Sequence, residues 1–377
     1  MEIISKYLKY MVEKDASDIY FTVGVPPSFR IEGIVAPHEN TPPLTPDDTE
    51  SIARTIMSER QKKKFEEDME MNLALYSPKF GRFRVNIFRQ KSFVGIIIRQ
   101  IKLHIKSIDD WGLPSIMKDI VMTKRGLVLV VGATGSGKST TLAAMIDYRN
   151  SNEQGHIISV EDPIEFVHEH KKSLITQREI GFDTHNYENS LKNTLRQAPD
   201  VILIGEIRDA ETMENAVTFA ETGHLCLSTL HANNANQAIE RILNFFPIEK
   251  HLQIYMQLSL NIRAIVSQRL VPTVEGRRVA VIEILLNSPR VKDLILKGEI
   301  AMLKETMAAS YFDGMQTFDQ HIFDLFMAGR IDYNTAVSYA DSPNDVRLRI
   351  KMSQIKKEDT ERKEPGFKLK SDDFSKF

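Results

Sequence analysis

Residues 127–140 narrow the choice of folds more than any other stretch of this chain: Leu127-Val128-Leu129-Val130-Val131-Gly132-Ala133-Thr134-Gly135-Ser136-Gly137-Lys138-Ser139-Thr140. Five apolar residues read as a buried strand, the glycine-rich segment as a loop, and Lys138 to Ile146 as a helix. Gly132, Gly135 and Gly137 can take backbone angles closed to other residues. Successive N–H groups can then turn inward around a triphosphate while the following helix points its positive end at the same place. Lys138 is expected to reach the β- and γ-phosphates, and the Ser139 hydroxyl to ligate Mg²⁺. Gly132 through Thr140 is thus a phosphate-binding loop by its spacing and its strand-to-helix setting.

The remaining limits are broad. A chain of 377 residues suits two or three domains, and a formal charge of −2 gives no general reason to expect a nucleic-acid partner. Cys226 is the only cysteine, which excludes a disulfide framework and a four-cysteine zinc site and fits a reducing compartment. No apolar run reaches 18 residues, and the first helix, Ile3 to Lys14, carries Lys6, Lys9, Glu13 and Lys14. The expectation is a cytoplasmic protein that meets a membrane only through a partner or a surface patch.

Residues 1–104 read as a small α/β domain. A helix is followed by strands Asp18–Val23 and Phe29–Val35, then by a helix that Thr45 caps with Pro46 in its first turn, and by a charged helix from Glu59 to about Met69. Between Gly81 and Arg99, Phe83, Val85 and Ile87 alternate with Arg82, Arg84 and Asn86. One reading is a half-solvated hairpin whose arginines keep an edge soluble. The other is that one or more of Arg82, Arg84, Arg89 and Arg99 stabilise phosphate charge. Residues 105–125 read as a linker and lead-in helix.

From Gly126 to residue 352, strands and helices alternate as in a largely parallel sheet. His156–Asp162, Asp200–Glu206 and His224–Leu230 are the expected strands, with a helix capped by Asp209 and closed by Gly223 before the third. Acidic residues past the carboxyl ends of the first two lie where such sheets place ligands. Four apolar residues ending in Gly205-Glu206 make Glu206 the candidate to polarise an attacking water, and Glu161, Asp162 and Glu165 can present one or two carboxylates to Mg²⁺. Glu165 is the metal candidate among them and the alternative base. His224 and His231 bracket a strand and cannot chelate one metal from opposite ends, so sensing phosphate or a neighbouring subunit is the role expected of them. Asn233–Phe246 and Glu249–Leu270 read as amphipathic helices and Arg277–Leu286 as a strand. Ser288-Pro289 opens a helix closed by Gly298, and helices cover 300–309, 318–327 and 333–340. Residues 353–377 read as a mixed-charge tail without stable structure.

Taken together, Gly132–Thr140, Val160-Glu161-Asp162-Pro163-Ile164-Glu165, Arg196–Asp200, Gly205-Glu206-Ile207-Arg208-Asp209 and Thr222-Gly223-His224 with Ser228-Thr229-Leu230-His231 resemble the secretion-ATPase superfamily. They look like its Walker A, Asp-box, Walker B and two His-box elements. Ala16-Ser17-Asp18, Gly24-Val25-Pro26-Pro27 and Arg82-Phe83-Arg84-Val85-Asn86 resemble the N-terminal domain of the type IV pilus retraction branch, PilT and PilU. The Ala264–Leu270 segment and the extended tail lean toward the PilU side. The resemblance implies an α/β fold with a PAS-like α+β N-terminal domain and a RecA-like P-loop domain with a helical C-terminal portion. It also implies a homohexameric ring using ATP and Mg²⁺ at the inner-membrane base of the pilus machine, with a platform protein and a PilT-like ATPase as partners.

Retraction motors carry a short signature, Ala-Ile-Arg-Asn-Leu-Ile-Arg. Ser288–Ile295 keeps only the Leu-Ile pair and an Arg, Arg290, two places further from that pair than in the signature, which implies an intact ATPase with an altered coupling surface. Competing readings are a type II secretion or pilus-assembly ATPase, a slow nucleotide-gated docking module, and a RecA-like DNA motor. Length and cysteine content disfavour the first, and charge the last.

Overall fold

The computed structural model describes residues 2–101 and 105–362. The chain falls into two compact units, one built from residues up to 110 with 115–129 and 138–230, the other from 111–114, 130–137 and 231 onward.

The first unit begins with α1 (Glu2–Glu13), β1 (Asp18–Phe21), β2 (Ser28–Ile31), β3 (Ile34–Pro37), α2 (Pro46–Ile56), α3 (Glu59–Asp68), β4 (Glu70–Ser77), β5 (Gly81–Gln90) and β6 (Phe93–Gln100). Its six strands form an antiparallel sheet in the order β3-β2-β1-β6-β5-β4. Alternation along β5 buries Phe83, Val85 and Ile87 with Tyr7, Phe21, Phe29, Ile52 and Phe65, and turns Arg82 and Arg84 to the other face. Thr45 starts α2 as its spacing implies. The Thr45 side chain accepts from Asp48 N and the Asp48 carboxylate accepts from Thr45 N, a reciprocal cap that contributes on the order of 1 kcal/mol.

Two expectations change in this region. Phe29–Val35 is a hairpin of β2 and β3, because Glu32 at φ 51° and Gly33 at φ 86° turn the chain in the left-handed region. Strand β4, with Met71, Leu73 and Leu75 buried in alternation, was not anticipated.

The same unit continues with α4 (Ile116–Val121), β7 (Gly126–Val131), α5 (Lys138–Asn152), β8 (His156–Glu161), β9 (Leu174–Glu179), α6 (Tyr187–Thr194), β10 (Val201–Ile204), α7 (Ala210–Glu221) and β11 (Leu225–Leu230). The division between the units falls within β7. Strands β11, β10, β8 and β9 lie side by side and parallel, the first three buried along their middles on both faces, which is why they are mostly apolar without a polar-apolar alternation. Asp209 caps α7 with a reciprocal bond to Thr212.

The second unit holds α8 (Ala235–Leu243), α9 (His251–Asn261), β12 (Ile262–Pro272), β13 (Arg278–Leu286), α10 (Pro289–Lys297), α11 (Leu303–Ala309), α12 (Phe318–Met327), α13 (Tyr333–Tyr339) and α14 (Pro343–Arg362). Its most consequential correction is β12. The segment expected to extend one helix to Leu270 leaves it after Asn261 and pairs antiparallel with β13 from Ala264 to Pro272. Ile262, Ile265, Val266 and Val271 favour a strand, and all four are fully buried.

Val271, Val279, Val281, Phe318, Ile322, Val346 and Ile350 build a core under α12 and α14. Ser288 caps α10 and Gly298 ends it at φ 72°, leaving Arg290 and Lys292 exposed and Val291, Leu294 and Ile295 buried. Helix α14 covers 353–362, correcting the expectation of an unstructured stretch there, and 363–377 lie outside the described residues. No helix among the described residues is long and apolar enough to cross a membrane.

Candidate active site

The loop after β7 has the geometry its glycines imply. Gly135 and Gly137 lie at φ 76° and 89°, where a side chain is strained, and Gly132 is required by close approach, since a Cβ there would stand 2.4 Å from the Gln268 carbonyl oxygen. Ala133, Thr134 and Gly135 are exposed at the tip, whereas Ser136 is buried with its Oγ lacking a hydrogen-bond partner. An exposed, glycine-shaped backbone with a buried orphan hydroxyl suits an anion with several oxygens, so the loop fits a nucleotide phosphate chain. Helix α5 starts at Lys138, which is 9% exposed; burial lowers its pKa and the Glu206 carboxylate opposes that shift.

In the first unit, a cavity of about 30 Å³ is lined by Ser139, Glu161, Glu165, His168, Gly205 and Thr229 among others. These come from the start of α5 and from the carboxyl ends of β8, β10 and β11, the place ligands take in such sheets. The Thr229 hydroxyl donates to the Gly205 carbonyl at 2.7 Å and the Ser228 hydroxyl to the Ile204 carbonyl at 2.7 Å, which fixes the turn that presents Glu206. Ser139 and Glu165 therefore share one small cavity, as a metal site drawn from both requires. Among the described residues no three His, Cys, Asp or Glu side chains cluster as a metal site. Mg²⁺ here would rely on the Ser139 hydroxyl, one or two carboxylates, water and phosphate oxygens.

Glu161 also lines this cavity. Burial raises its pKa to about 7, against hydrogen bonds from the Ser159 hydroxyl at 2.6 Å and the Gln177 amide at 3.2 Å. A carboxyl whose folded pKa exceeds its unfolded value binds more protons when folded, so stability falls as pH rises from about 4.5 through 7. Glu161→Gln is expected to leave thermal stability unchanged near pH 4.5 and to raise it at pH 8, by on the order of 2 kcal/mol after discounting for the residue's partial exposure. Melting curves of the nucleotide-free protein at both pH values check this, and equal shifts at the two would contradict it.

Glu206 is held by Arg208, whose Nε lies 2.9 Å from Glu206 Oε2 while Nη1 lies 3.3 Å from Asp162 Oδ2. Arg208 thus ties the acid after β10 to the acidic turn after β8. It stands in the motif that named Glu206, although only the structure assigns its contacts. A side chain on Gly205 would meet Glu161 Cα and the Tyr187 hydroxyl at 3.1 Å, so the residue before Glu206 must be small.

The arginines are engaged by carboxylates. Arg82 Nη2 lies 3.0 Å from Glu179 Oε2 and Arg84 Nη2 4.0 Å from Glu179 Oε1, with Glu179 buried at the end of β9. Arg99 Nε lies 2.7 Å from Asp18 Oδ1, and the nearby Glu165 adds to the charges that raise the Arg99 pKa, after the Asp18 hydrogen bond as the largest cause. Strand register sets Arg30, Asp18, Arg99 and Arg84 in one row across β2, β1, β6 and β5, so the three arginines share a face with Asp18. Arg89 is exposed, over the Phe65 ring at 5.4 Å, apart from that row. Nothing in the sequence singles out Glu179, which is 97 residues from Arg82.

The two histidines differ. His224 Nδ1 lies 3.2 Å from the Phe219 carbonyl and 3.1 Å from the Thr222 hydroxyl, which ties it to the carboxyl end of α7. His231 follows the carboxyl end of β11 and is half-buried.

Comparison with known proteins identifies the family. Residues 1–316 match the family described as "Type II/IV secretion system protein". The chain is 55% identical to the type IV pilus ATPase PilU of Pseudomonas aeruginosa over 92% of its own length and 91% of that protein. It is 39% identical to the type IV pilus retraction ATPase PilT of the same organism, over 91% of this chain and 99% of that one. A crystal structure of the pilus retraction motor PilT with bound ADP superposes with a TM-score of 0.85 at 39% identity, covering 91% of this chain and 98% of the other. With a P-loop, paired acidic turns and a parallel sheet in place, the chain belongs to the type II/IV secretion system protein family, as an ATP-hydrolysing enzyme of its PilT/PilU branch.

Proposed function

We infer that this ATPase works as a cytoplasmic homohexameric ring at the inner-membrane base of a type IV pilus machine, where it assists pilus retraction and so twitching motility. The observation that carries this reading is the 55% identity to PilU across 92% of the chain, with the nucleotide loop complete. Its organisation follows as an N-terminal domain over 1–104, a linker and lead-in helix over 105–125 and a RecA-like domain over 126–352. In the catalytic cycle Lys138 neutralises the β- and γ-phosphates of ATP, and Ser139 and Glu165 are the residues that would hold Mg²⁺. Glu206 orients the attacking water, with Glu165 as the alternative. Bound Mg²⁺ supplies charge neutralisation at the transferred phosphoryl group. Arg82, Arg84 and Arg99 give up their present carboxylate partners to meet phosphate charge on their own or an adjacent subunit, and His224 and His231 report the nucleotide state.

The partners are a PilT-like retraction ATPase and the pilus platform protein, with no nucleic acid. The altered signature at Ser288–Ile295 supports an accessory role: Arg290 pairs with Asp293 at 3.6 Å on an exposed face, while Leu294 and Ile295 are buried and serve packing. Such a ring adds force to another ring and does not shorten pili alone. Imaging labelled pili in cells whose sole retraction ATPase is this protein is expected to show surface pili and no shortening. Restoring the PilT-like ATPase is expected to bring retraction under load above that of cells with the PilT-like ATPase alone. Vigorous shortening by this ring alone would overturn the accessory role.

A further inference from the structure

Gln268 sits in β12 and is 4% exposed. Its side-chain Nε2 donates to the main-chain carbonyl of Ser136 at 2.7 Å. Its own carbonyl oxygen lies 2.4 Å from where a Cβ on Gly132 would stand, and its Nε2 2.8 Å from a Cβ on Gly137. One residue of this strand therefore touches the nucleotide loop at both of these glycines. The carbonyl it holds belongs to the Ser136–Gly137 peptide, and across a trans peptide the N–H points opposite to the C=O. With the Ser136 carbonyl drawn toward β12, the Gly137 N–H must face away from the strand, toward the hollow in which a P-loop places its anion.

The strand is anchored on either side of Gln268. The Ser267 hydroxyl donates to Glu283 Oε1 at 2.9 Å, and that carboxylate also accepts from Ala235 N at the start of α8. Arg269 pairs with Asp341 at 2.8 Å and lies over the Phe318 ring at 3.6 Å. Three consecutive side chains thus fix the strand to α8, to the end of α13 and to the loop, as the support of a pre-shaped site requires.

We propose that Gln268 is a positioning residue of the nucleotide site: its amide holds the Ser136–Gly137 peptide in the one orientation that aims the Gly137 N–H at bound phosphate. This rests on the ATP-binding reading of the loop and deepens it.

The test uses the full-length chain with Mg²⁺ and a fluorescent ADP analogue. Gln268→Met keeps length without a donor, and its affinity is expected to fall about tenfold, with KM for ATP rising by a similar factor and kcat falling less. Gln268→Glu places an acceptor against the Ser136 carbonyl when ionised and a donor when protonated. Its affinity is therefore expected to be weak at pH 8 and to recover at least severalfold toward pH 6, while wild type changes little over that range. A role in folding alone would not produce that pH profile, and the Glu variant decides the matter if the Met variant fails to assemble. Wild-type affinity in folded Gln268→Met, or a Gln268→Glu profile parallel to wild type, would overturn the proposal. Lys138→Ala is the control: if it too binds as wild type, the ATP-binding reading of the loop is what fails.

Discussion

A Lys138→Ala variant is expected to keep its fold and to lose roughly a thousandfold or more in ATP hydrolysis, with nucleotide affinity down at least tenfold. Lys138 is 9% exposed, and burial already pushes its ammonium toward neutrality, with Glu206 working the other way. Such a group sits unfavourably in the nucleotide-free state and becomes favourable once phosphate charge arrives beside it. Two unit charges at 4 Å in an effective dielectric of about 20 attract by about 4 kcal/mol, which is close to a thousandfold in rate if the attraction is felt mainly in the transition state. Alanine has the highest helix propensity and removes a buried charge, so α5 should start in the same place and thermal stability should hold or rise. Phosphate release measured beside the melting temperature separates the two effects. Wild-type hydrolysis in a folded Lys138→Ala variant would remove the assignment of the loop.

Signals carried by adjacent residues were legible from the sequence, and those carried by distant pairs were not. Thr45-Pro46-Asp47-Asp48 specifies the start of α2, and Ser288-Pro289 with Gly298 specifies both ends of α10, because a cap is made by residues within one turn of each other. The P-loop belongs to the same class: its glycines, lysine and serine stand close together in the chain, between Gly132 and Ser139. By contrast, β12 reads as a continuation of α9, because Ile254, Leu258, Ile262 and Ile265 recur at spacings of three and four in a stretch where most residues are apolar. A segment buried on both faces has no exposed stripe to reveal its period, and only its β-branched content argued for a strand. The loss was functional as well, since Gln268 meets Ser136 across 132 residues and only a strand at that place brings them together.

The arginines show the same limit from the other side. Alternation put Arg82 and Arg84 on one face of β5, and strand register adds Arg99 to that face, but nothing local signals that the buried Glu179 claims the first two and Asp18 the third. These carboxylates give the arginines a defined resting place. Any catalytic use of Arg82 and Arg99 must exceed the charge-assisted bonds they already make, whereas Arg84 has only an ion pair at 4.0 Å to give up.

The choice of catalytic carboxylate carries the other large effect. Glu206→Gln is expected to bind ATP as tightly as wild type and to turn over a hundredfold or more slowly, because the amide keeps the shape and loses the charge that polarises water. Arg208 holds Glu206 at 2.9 Å, so part of that charge is neutralised in the resting arrangement, and Glu206 must act with Arg208 drawn off or shared with Asp162. Glu165 stands differently, in the cavity with Ser139, where the proposed Mg²⁺ would be held. The two substitutions therefore separate in their metal dependence. If Glu165 serves mainly the metal, Glu165→Gln raises the Mg²⁺ concentration needed for half-maximal activity, whereas Glu206→Gln lowers the maximal rate at any Mg²⁺ concentration. Single-turnover phosphate release across a Mg²⁺ titration reads both quantities. Normal turnover in Glu206→Gln, with a Mg²⁺-independent collapse in Glu165→Gln, would move the water-activating role to Glu165 and leave Glu206 as the partner that fixes Arg208.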